Sequence, residues 1–489
     1  MLKRLSKALA GRRRPKPQND EVVRPAGQSG NIDLLMSQLK SNGVKVIERE
    51  DHPISRQQIS PGAVKILYQL GDGGFQGYLV GGSVRDLLIG NQPKDFDIAT
   101  DATPEDLRRL FRNARIIGKR FKIVHIRMGR EIIEVTTFRA HHTVQNEFAG
   151  RDDSKRFRDL DSAHSSGGML LRDNVFGDIY DDAVRRDFTV NALYYTVKGF
   201  RVLDFSSGIE DIRKKLIRII GDPVTRYKED PVRMLRAIRF AARLDFSIEP
   251  ATAKPINDLA YLLESVSPAR LFDEVLKLLS AGYGEKTLHV LQQFQLGDYL
   301  FPATMKCLRQ GDTVENRLLS LALRNTDTRL ADGKSVTPAF LFAALLWPVL
   351  RTRLQDRFGN EVYSLQDFLH SANDVIEDQL VYTAVPRRFT TMAREIWELQ
   401  VRLVRRTPRS VSGAFAHPRF RAGYDFLLLR EDAGENLDDL GQWWTDFQFA
   451  DASQQAAMLG GLSHSREGKP GKRRPRKRST NTKTNGSHG

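Results

Sequence analysis

The chain has 489 residues, a formal net charge of +16 and a single cysteine, Cys307. A chain of this length can bury a large core and divide into several domains, whereas one cysteine excludes an internal disulfide and a zinc site built from several thiolates. The most apolar run, PAFLFAALLWPVL at 338–350, is too short to span a bilayer and contains Pro348. These properties are typical of a multidomain protein from a reducing compartment.

The positive charge is concentrated at the two ends of the chain. Residues 1–18 carry seven Lys and Arg without an acid, and residues 462–489 carry nine against Glu467. Because such polar segments cannot bury enough apolar surface to fold, we expect disordered basic arms at both ends. Arms of this kind attract polyanions, and the tail run KRRPRKR favours RNA binding over a purely solubilising role. Its basic residues are Lys472, Arg473, Arg474, Arg476, Lys477 and Arg478.

Patterns along the chain predict an α+β head followed by an all-α neck and body. Residues 1–60 are polar with scattered prolines, and we interpret them as a largely flexible arm. From 61 to 197, strand-like and helix-like segments alternate, which predicts a mixed sheet with helices. Within this head, residues 143–168 are polar and nearly free of apolar periodicity, and a loop of this length is usually functional or disordered. We interpret it as a mobile flap beside an active site in the head. We expect a helical neck at 198–282, a helical body at 283–455 and a basic tail at 456–489.

A pair of aspartates gives the strongest functional signal. In the run YLVGGSVRDLLIGNQPKDFDI at 78–98, Asp95 and Asp97 flank Phe96 in a strand-like segment. Because side chains alternate faces along a strand, both carboxylates project from one face, roughly 6–7 Å apart at the backbone. Such a pair suits the hard divalent cations of phosphoryl-transfer sites. The run therefore predicts that Asp95 and Asp97 are metal ligands.

A glycine turn precedes these carboxylates. Gly81, Gly82 and Ser83 separate an apolar strand-like segment from a helix start. Glycines let the backbone approach a ligand closely, and N–H groups at a helix start favour phosphate. A phosphate cradle beside a carboxylate pair predicts nucleotidyl transfer, whereas each half alone would be a weak signal.

The order GGSVRD then KDFDIAT resembles the DNA polymerase β-like nucleotidyltransferases, in the branch that holds CCA-adding enzymes and bacterial poly(A) polymerases. The segments EIIEVTTFR at 131–139, RRDFTVNALYY at 185–195 and EDPVRMLRAIRF at 229–240 extend the resemblance. It is dense over residues 78–279 and continues more thinly to about residue 450.

One stretch bears on the choice within this branch. IIGKRFKIVHI at 116–126 is similar to the signature that separates bacterial poly(A) polymerases from their CCA-adding relatives. The resemblance implies template-independent addition of AMP from ATP to RNA 3′ ends, with release of pyrophosphate, in RNA processing and decay. The alternatives are CCA addition to tRNA and an inactive RNA-binding scaffold, against which the intact aspartate pair argues. No physical argument from the residues of this stretch predicts ATP over CTP.

The resemblance also implies an active site with two Mg²⁺ ions, or Mn²⁺, and ATP as substrate. Glu134, on an alternating strand, is the expected third carboxylate, and its alternative is a surface glutamate. Asp187 is expected to be catalytic, and its alternative is an ordinary Arg–Asp surface pair. The expected nucleotide-binding residues are Gly81, Gly82, Ser83, Arg85, Arg186, Asn191, Asp230, Arg233 and Arg236.

The segment after residue 229 predicts a helix with a basic face. Asp230 is a good N-cap before Pro231, and the helix should run to about Leu244. At about 100° per residue, four arginines share one face, opposite an apolar face of Met234, Ile238 and Ala241. The arginines are Arg233, Arg236, Arg239 and Arg243, and the last two are expected to contact RNA unless the face is simply solvated. A second helix should start at Ser267-Pro268 and end near Gly282.

Asp230 and Arg233 are the expected base-reading pair. Adenine offers an amino donor beside a ring-nitrogen acceptor, which a carboxylate and a guanidinium can match. Cytosine presents the same donor–acceptor order, so base choice must depend on how rigidly the two groups are held. Asp230 could also simply cap its helix.

Several smaller expectations complete the prediction. Lys119 and Arg120 are expected to contact triphosphate or RNA, and His141 and His142 belong to a loop or RNA contact because hard cations prefer oxygen ligands. The N-terminus MLKRLSKALAGRRRP formally resembles a mitochondrial transit peptide. The bacterial resemblance favours a cytoplasmic RNA-binding arm instead. The expected partners are RNA 3′ ends, ATP and RNA-decay nucleases or helicases, and we expect a monomer without a transmembrane segment.

Overall fold

A computed structural model describes residues 32–118, 122–140, 162–164, 170–173, 176–309 and 313–464. The chain forms two compact units, a head up to Lys214 and a helical unit from Lys215. The boundary lies later than the expected one at 197, because one more strand and one more helix belong to the head.

An eight-stranded mixed sheet forms the centre of the head. Its strands are β1 (Lys45–Ile47), β2 (Gly77–Val80), β3 (Asp97–Thr100), β4 (Ala114–Ile117), β5 (Ile123–Met128), β6 (Glu131–Thr137), β9 (Leu193–Thr196) and β10 (Arg201–Asp204). They lie side by side in the order β1-β10-β9-β2-β3-β6-β5-β4. Neighbouring strands are antiparallel except β3 and β6, which are parallel. The predicted mixed sheet with helices is therefore confirmed.

A separate antiparallel pair, β7 (Ser162–His164) and β8 (Leu170–Asp173), lies within and directly after the predicted loop. The segment 143–168, interpreted as a mobile flap, therefore contains a short strand at Ser162–His164. The other residues of that segment lie outside the described part of the chain.

Helices cover both faces of the sheet in the head. They are α1 (Ile32–Ser41), α2 (Pro61–Asp72), α3 (Gly82–Leu88), α4 (Pro104–Leu110), α5 (Ile179–Val184) and α6 (Gly208–Lys214). Short 3₁₀ turns span Arg49–Asp51, Arg56–Gln58 and Thr189–Asn191. One core packs α2 against residues such as Leu79 and Val135, and the other packs α1 and α5 against residues such as Val80 and Tyr194.

The head begins earlier than the sequence predicted. Residues from Ile32 form α1, and β1 pairs with β10 at the edge of the sheet. Met36 and Leu39, three residues apart and therefore on one helix face, are buried. The interpretation of residues 32–60 as a flexible arm was therefore wrong, because this short apolar pattern was overlooked among polar neighbours.

The helical unit begins with α7 (Pro223–Glu229) and α8 (Val232–Leu244), and a small parallel pair joins β11 (Leu216–Ile217) to β12 (Ser247–Ile248). The next helices are α9 (Pro250–Ala253), α10 (Ile256–Leu259), α11 (Pro268–Leu279), α12 (Gly284–Gln293), α13 (Gly297–Leu300) and α14 (Pro302–Leu308), with a 3₁₀ turn at Ala260–Ser265. The remaining helices are α15 (Val314–Ala331), α16 (Pro338–Phe358), α17 (Leu365–Leu380), α18 (Arg387–Val404), α19 (Pro408–Phe415), α20 (Phe420–Asp432), α21 (Leu440–Phe449) and α22 (Ala452–His464).

Two helices of this unit follow the sequence closely. α8 ends at Leu244 as predicted, with its arginines partly or fully exposed while Met234, Ile238 and Ala241 are buried. α11 starts at Pro268 as predicted and ends at Leu279, slightly before Gly282. The apolar run at 338–350 is the buried centre of α16, and within the described residues no helix is long and apolar enough to cross a membrane.

Candidate active site

Strand pairing brings two of the predicted carboxylates together. β3 and β6 are adjacent and parallel, and their register sets Asp97 directly beside Glu134. Neighbouring strands lie about 4.8 Å apart, so both side chains leave the same face of the sheet next to each other. The expected position of Glu134 beside the aspartate pair is therefore what the sheet provides.

Asp95 and Asp97 lie on either side of a buried residue. Phe96 is 5% exposed and points into the core below the sheet, whereas both aspartates are exposed. β3 begins at Asp97, so Asp95 belongs to the irregular lead-in to the strand. Desolvation, together with the nearby charges of Glu134 and Asp95, raises the pKa of the Asp97 carboxyl to about 6, although the Arg186 guanidinium opposes this shift. We call the site formed by Asp95, Asp97 and Glu134 the carboxylate recess, and its three acidic side chains concentrate negative charge.

A histidine that the sequence analysis did not single out adjoins this group. His125 on β5 is the cross-strand neighbour of Glu134, and its Nε2 lies 3.3 Å from Glu134 Oε1. The tight connection at Gly129 and Arg130, where Gly129 has φ +66°, sets this register. Counting back from that two-residue turn would have predicted the contact.

The glycine turn has the geometry that its sequence suggests. Gly81 has φ +72°, a backbone conformation that side chains other than glycine rarely adopt, and Gly82 begins α3. Ser83 is buried and donates a hydrogen bond from Oγ to the carbonyl oxygen of Val80 at 3.0 Å. The hydroxyl proton of Ser83 is therefore committed to Val80 and does not donate to a phosphate while that bond persists.

A buried hydrogen-bonded chain connects the glycine turn to the segment after β8. The Arg85 guanidinium, 1% exposed, donates to Asp86 Oδ1 through Nη2 at 2.6 Å and to Asn191 Oδ1 through Nη1 at 2.5 Å. Asn191 Nδ2 in turn donates to Asp187 Oδ1 at 3.1 Å. The expected proximity of Asn191 to Asp187 is therefore present, but Arg85 faces the interior. We correct its expected nucleotide contact, because the guanidinium would have to leave Asp86 and Asn191 to make one.

Arg186 lies beside the glycine turn. Its Nη1 donates to the carbonyl oxygen of Asn191 at 3.5 Å, and a Cβ placed on Gly81 would lie 3.4 Å from that nitrogen. The guanidinium is held by Asp182 and Tyr194, two residues that the sequence analysis did not identify. The head thus brings several predicted residues into one region around the last residue of β2, the first residue of β3 and the middle of β6. They are Asp95, Asp97, Glu134, Gly81, Gly82, Arg186, Asp187 and Asn191.

In the helical unit, neighbouring side chains form hydrogen bonds with Asp230 and Arg233, the expected base-reading pair. Asp230 Oδ2 accepts a hydrogen bond from Arg270 Nη2 at 2.8 Å, and its Oδ1 accepts the Val232 N–H at 3.3 Å. The expected N-cap position of Asp230 is off by one residue, because α8 begins at Val232 and its N-cap is Pro231, without a side-chain cap. Arg233 Nη1 donates to Glu229 Oε2 at 2.8 Å and to the carbonyl oxygen of Arg226 at 2.7 Å.

The other arginines of α8 contact side chains of their own unit. Arg236 and Arg239 stack over the Phe240 ring, with guanidinium carbons 5.5 Å and 5.0 Å from its centroid. Arg239 Nη1 also lies 3.8 Å from Glu274 Oε2, and Arg243 is exposed. The predicted contacts of Lys119, Arg120, His141, His142 and the tail residues Lys472, Arg473, Arg474, Arg476, Lys477 and Arg478 fall outside the described residues.

The donor set of the recess suits a hard cation. Asp95, Asp97 and Glu134 offer oxygen ligands only, which Mg²⁺ prefers. Across the described ranges, no three His, Cys, Asp or Glu side chains form a ready-made metal cage. Mg²⁺ is commonly held by one or two carboxylates together with substrate phosphates and water, so this open arrangement fits it.

Comparison with solved structures identifies the class of fold. The Thermotoga maritima CCA-adding enzyme complexed with tRNA aligns with a TM-score of 0.52 at 19% identity, over 80% of this chain and 83% of that one. The chain therefore shares the fold of the CCA-adding nucleotidyltransferases, and its α+β head followed by a helical body is the architecture predicted from the sequence.

Sequence comparison identifies the family. Poly(A) polymerase I of Escherichia coli O6:H1 is 46% identical over 439 residues, covering 89% of this chain and 92% of that protein. Family descriptions match three stretches: "Poly A polymerase head domain" at 77–218, "Probable RNA and SrmB- binding site of polymerase A" at 245–308 and "Polymerase A arginine-rich C-terminus" at 360–479. The chain belongs to the bacterial poly(A) polymerases.

The CCA-adding enzymes are more distant relatives. The CCA-adding enzyme of Lactobacillus helveticus is 34% identical over 236 residues, which cover 48% of this chain. The prediction of a poly(A) polymerase from the stretch at 116–126 is therefore confirmed over the CCA-adding alternative. A second solved CCA-adding enzyme, a complex with ATP, aligns with a TM-score of 0.52 at 20% identity, over 83% of this chain and 87% of that one.

Proposed function

We propose that the carboxylate recess of the head is the site where this template-independent poly(A) polymerase joins AMP from ATP to an RNA 3′ end, with two Mg²⁺ ions held by Asp95 and Asp97. The observation that carries the proposal is the β3–β6 register, which sets Asp97 beside Glu134 at the end of the glycine-turn strand. Cations held by Asp95 and Asp97 would supply positive charge that lowers the pKa of the attacking hydroxyl and stabilises the leaving group.

Each residue of the recess then has a role in holding the reactants. Asp95, Asp97 and Glu134 supply the negative charge that retains the cations. The backbone at Gly81 and Gly82 admits the triphosphate closely, because no Cβ occupies that space, and Arg186 offers it positive charge. Asp187 and Asn191, joined by a hydrogen bond, orient the nucleotide.

We assign base selection to Asp230 and Arg233 of the helical unit. Their partners Arg270 and Glu229 restrict the positions of the carboxylate and the guanidinium, which is the rigidity that discrimination between adenine and cytosine requires. Arg236, Arg239, Arg243 and the basic tail supply charge for RNA. We further infer cytoplasmic action as a monomer, in RNA processing and decay together with nucleases or helicases.

A primer-extension assay tests the proposal. Purified protein is incubated with a generic RNA or with a tRNA lacking its terminal CCA. Each reaction contains Mg²⁺ and one nucleoside triphosphate. We expect a long ladder on the generic RNA with ATP alone. Glu134→Gln should reduce the rate strongly, since a ligand charge is lost, and Glu131→Gln on the same strand is the matched control.

The outcomes separate the alternatives. Two additions from CTP followed by one from ATP, on the tRNA only, would mean CCA addition. No extension by the wild-type protein under any condition would favour the inactive RNA-binding scaffold. Equal rates for Glu134→Gln and Glu131→Gln would remove Glu134 from the proposed ligand set.

A further inference from the structure

Tyr194 occupies a special place at the glycine turn. On β9 it lies directly opposite Val80 of β2, the last residue before Gly81. Because side chains alternate along a strand, Tyr194 and Tyr195 face opposite sides of the sheet and belong to different cores. Tyr194 is fully buried on the side where Arg186 approaches the turn.

The Tyr194 hydroxyl connects two charged groups. It donates to Asp182 Oδ2 at 2.7 Å and accepts a hydrogen bond from Arg186 Nε at 2.7 Å. Asp182 Oδ2 also accepts from Arg186 Nη2 at 3.0 Å, and the Arg186 guanidinium lies 4.9 Å from the centre of the Tyr194 ring. The Asp182 carboxylate, the Tyr194 hydroxyl and the Tyr194 ring therefore fix the position and the plane of the Arg186 guanidinium. We call this arrangement the Arg186 clamp.

The surroundings make this clamp durable. Burial raises the pKa of Tyr194 well above its ordinary value, so the hydroxyl keeps its proton and remains a donor to Asp182. Desolvation alone would raise the pKa of Asp182, but Arg186 and the Tyr194 hydroxyl hold it below its ordinary value. A buried carboxylate without such partners would be costly, so each member stabilises the others.

The clamp aims Arg186 at the place where phosphates would arrive. One fifth of the Arg186 side chain remains exposed, and its Nη1 lies against Gly81. The same guanidinium is close enough to Asp97 to oppose the raised pKa that desolvation gives that carboxyl. A freely rotating arginine would lose several side-chain degrees of freedom on binding a phosphate, whereas a clamped one has already lost them.

We infer that Tyr194 is a positioning residue for the nucleotide: together with Asp182 it holds Arg186 beside the glycine turn, in the orientation that binds the phosphates of ATP. This inference rests on the proposed function, since it takes the glycine turn as the triphosphate site. It adds to that proposal two residues, Tyr194 and Asp182, that contact Arg186 and not the substrate.

Two adjacent tyrosines offer a matched test. Tyr194→Phe removes the clamp hydroxyl and keeps the ring, whereas Tyr195→Phe removes a buried hydroxyl that has no hydrogen-bond partner among the described residues. For Tyr194→Phe we expect a KM for ATP about 10-fold higher and a kcat within about 3-fold, as suits a lost bond to a charged group. Tyr195→Phe should leave both within about 2-fold.

Pyrophosphate tests whether the effect concerns phosphate. It carries no base or ribose, so its inhibition constant should rise in Tyr194→Phe by the same factor as the KM for ATP. Asp182→Asn, which retains the volume but loses the charge that orients Arg186, is the second variant and should raise both constants as well. Melting temperatures of all variants separate these effects from loss of folded protein.

A double-mutant cycle tests whether Tyr194 acts through Arg186. In an Arg186→Lys background, Tyr194→Phe should change the KM for ATP by less than about 2-fold. An undiminished effect in that background would overturn the inference, as would equal KM values for Tyr194→Phe, Asp182→Asn and Tyr195→Phe. Wild-type extension with ATP reports on the proposed function separately, so the two can fail independently.

Discussion

The two units of this protein hold their functional side chains by different means. In the head, Asp97 and Glu134 are neighbours because β3 and β6 pair in register, and the backbone alone determines that placement. In the helical unit, Asp230 and Arg233 are held by the side chains of Arg270 and Glu229. The proposed catalytic carboxylates are therefore positioned by the sheet, and the proposed base-reading pair is positioned by ion pairs.

This difference has a functional consequence. A strand register cannot slip by one residue without turning every side chain to the opposite face, so the carboxylate geometry is resistant to small changes. An ion pair is lost with one substitution. We therefore expect substitutions among the partners in the helical unit to alter nucleotide choice gradually, while substitutions in the recess abolish the chemistry.

The largest expected effect is in the recess. Asp97→Asn should lower kcat about 10³-fold or more, because a ligand contributing several kcal/mol of charge stabilisation is lost. Its folding should not suffer, since the substitution also removes repulsion from Glu134 and Asp95. Rates of AMP addition and melting temperature measure the two effects. Asp101→Asn, just beyond the other end of β3, is the control, and a comparable loss there would indicate general damage.

The next effect concerns base choice. Asp230→Ala should reduce the preference for ATP over CTP, measured as the ratio of kcat/KM values, by about 10-fold to 100-fold, as expected for one lost base-reading group. Asp222→Ala removes a helix-capping carboxylate, which caps α7 through the Thr225 N–H. It should cost similar stability without changing the ratio. A parallel change in both variants would assign Asp230 a structural role alone.

Much of this could be predicted from the sequence, for identifiable reasons. Asp95, Asp97 and the glycine turn lie in one short run, so local periodicity places them. The Pro231 signal places the start of α8 within one residue, and the predicted end at Leu244 is the observed one. Arg85 could not be placed in this way, because its burial depends on Asn191, 106 residues away in the chain.

Other contacts depend on pairing between distant segments. Tyr194 reaches Asp182 across twelve residues, and Arg270 reaches Asp230 across forty. These separations are too long for the periodicity of a single helix or strand to predict that the residues are partners. The contact between His125 and Glu134 is different, because the two-residue turn at Gly129 determines it.

A smaller effect should follow from weakening the partner of Asp230. Arg270→Met retains much of the bulk of the side chain but removes the bond to Asp230 Oδ2. We expect the preference for ATP over CTP to fall only about 3-fold to 5-fold, because a partly exposed ion pair contributes about 1 kcal/mol or less. Arg218→Met removes a similar partly exposed pair with Glu249 and is the control. Unchanged selectivity in both variants would show that Asp230 keeps its position without Arg270.

The smallest effect concerns the stability of the head. His52 is buried, its Nδ1 accepts the Ile54 N–H at 3.2 Å, and its Nε2 therefore carries the proton donated to the carbonyl oxygen of Phe200 at 2.8 Å. Burial lowers the pKa of His52, because the charged ring would lose its hydration, although the hydrogen bond to Phe200 opposes this shift. The unfolded chain thus binds more protons as pH falls below about 6.5, and stability is lost on acidification. Between pH 7.5 and 5.5, the melting temperature of the wild type should fall by a few degrees more than that of His52→Gln. Each kcal/mol of lost stability lowers a melting temperature by about 2–4 °C. Gln can retain the donor to Phe200 without titrating, so an identical pH dependence in the two proteins would contradict this role for His52.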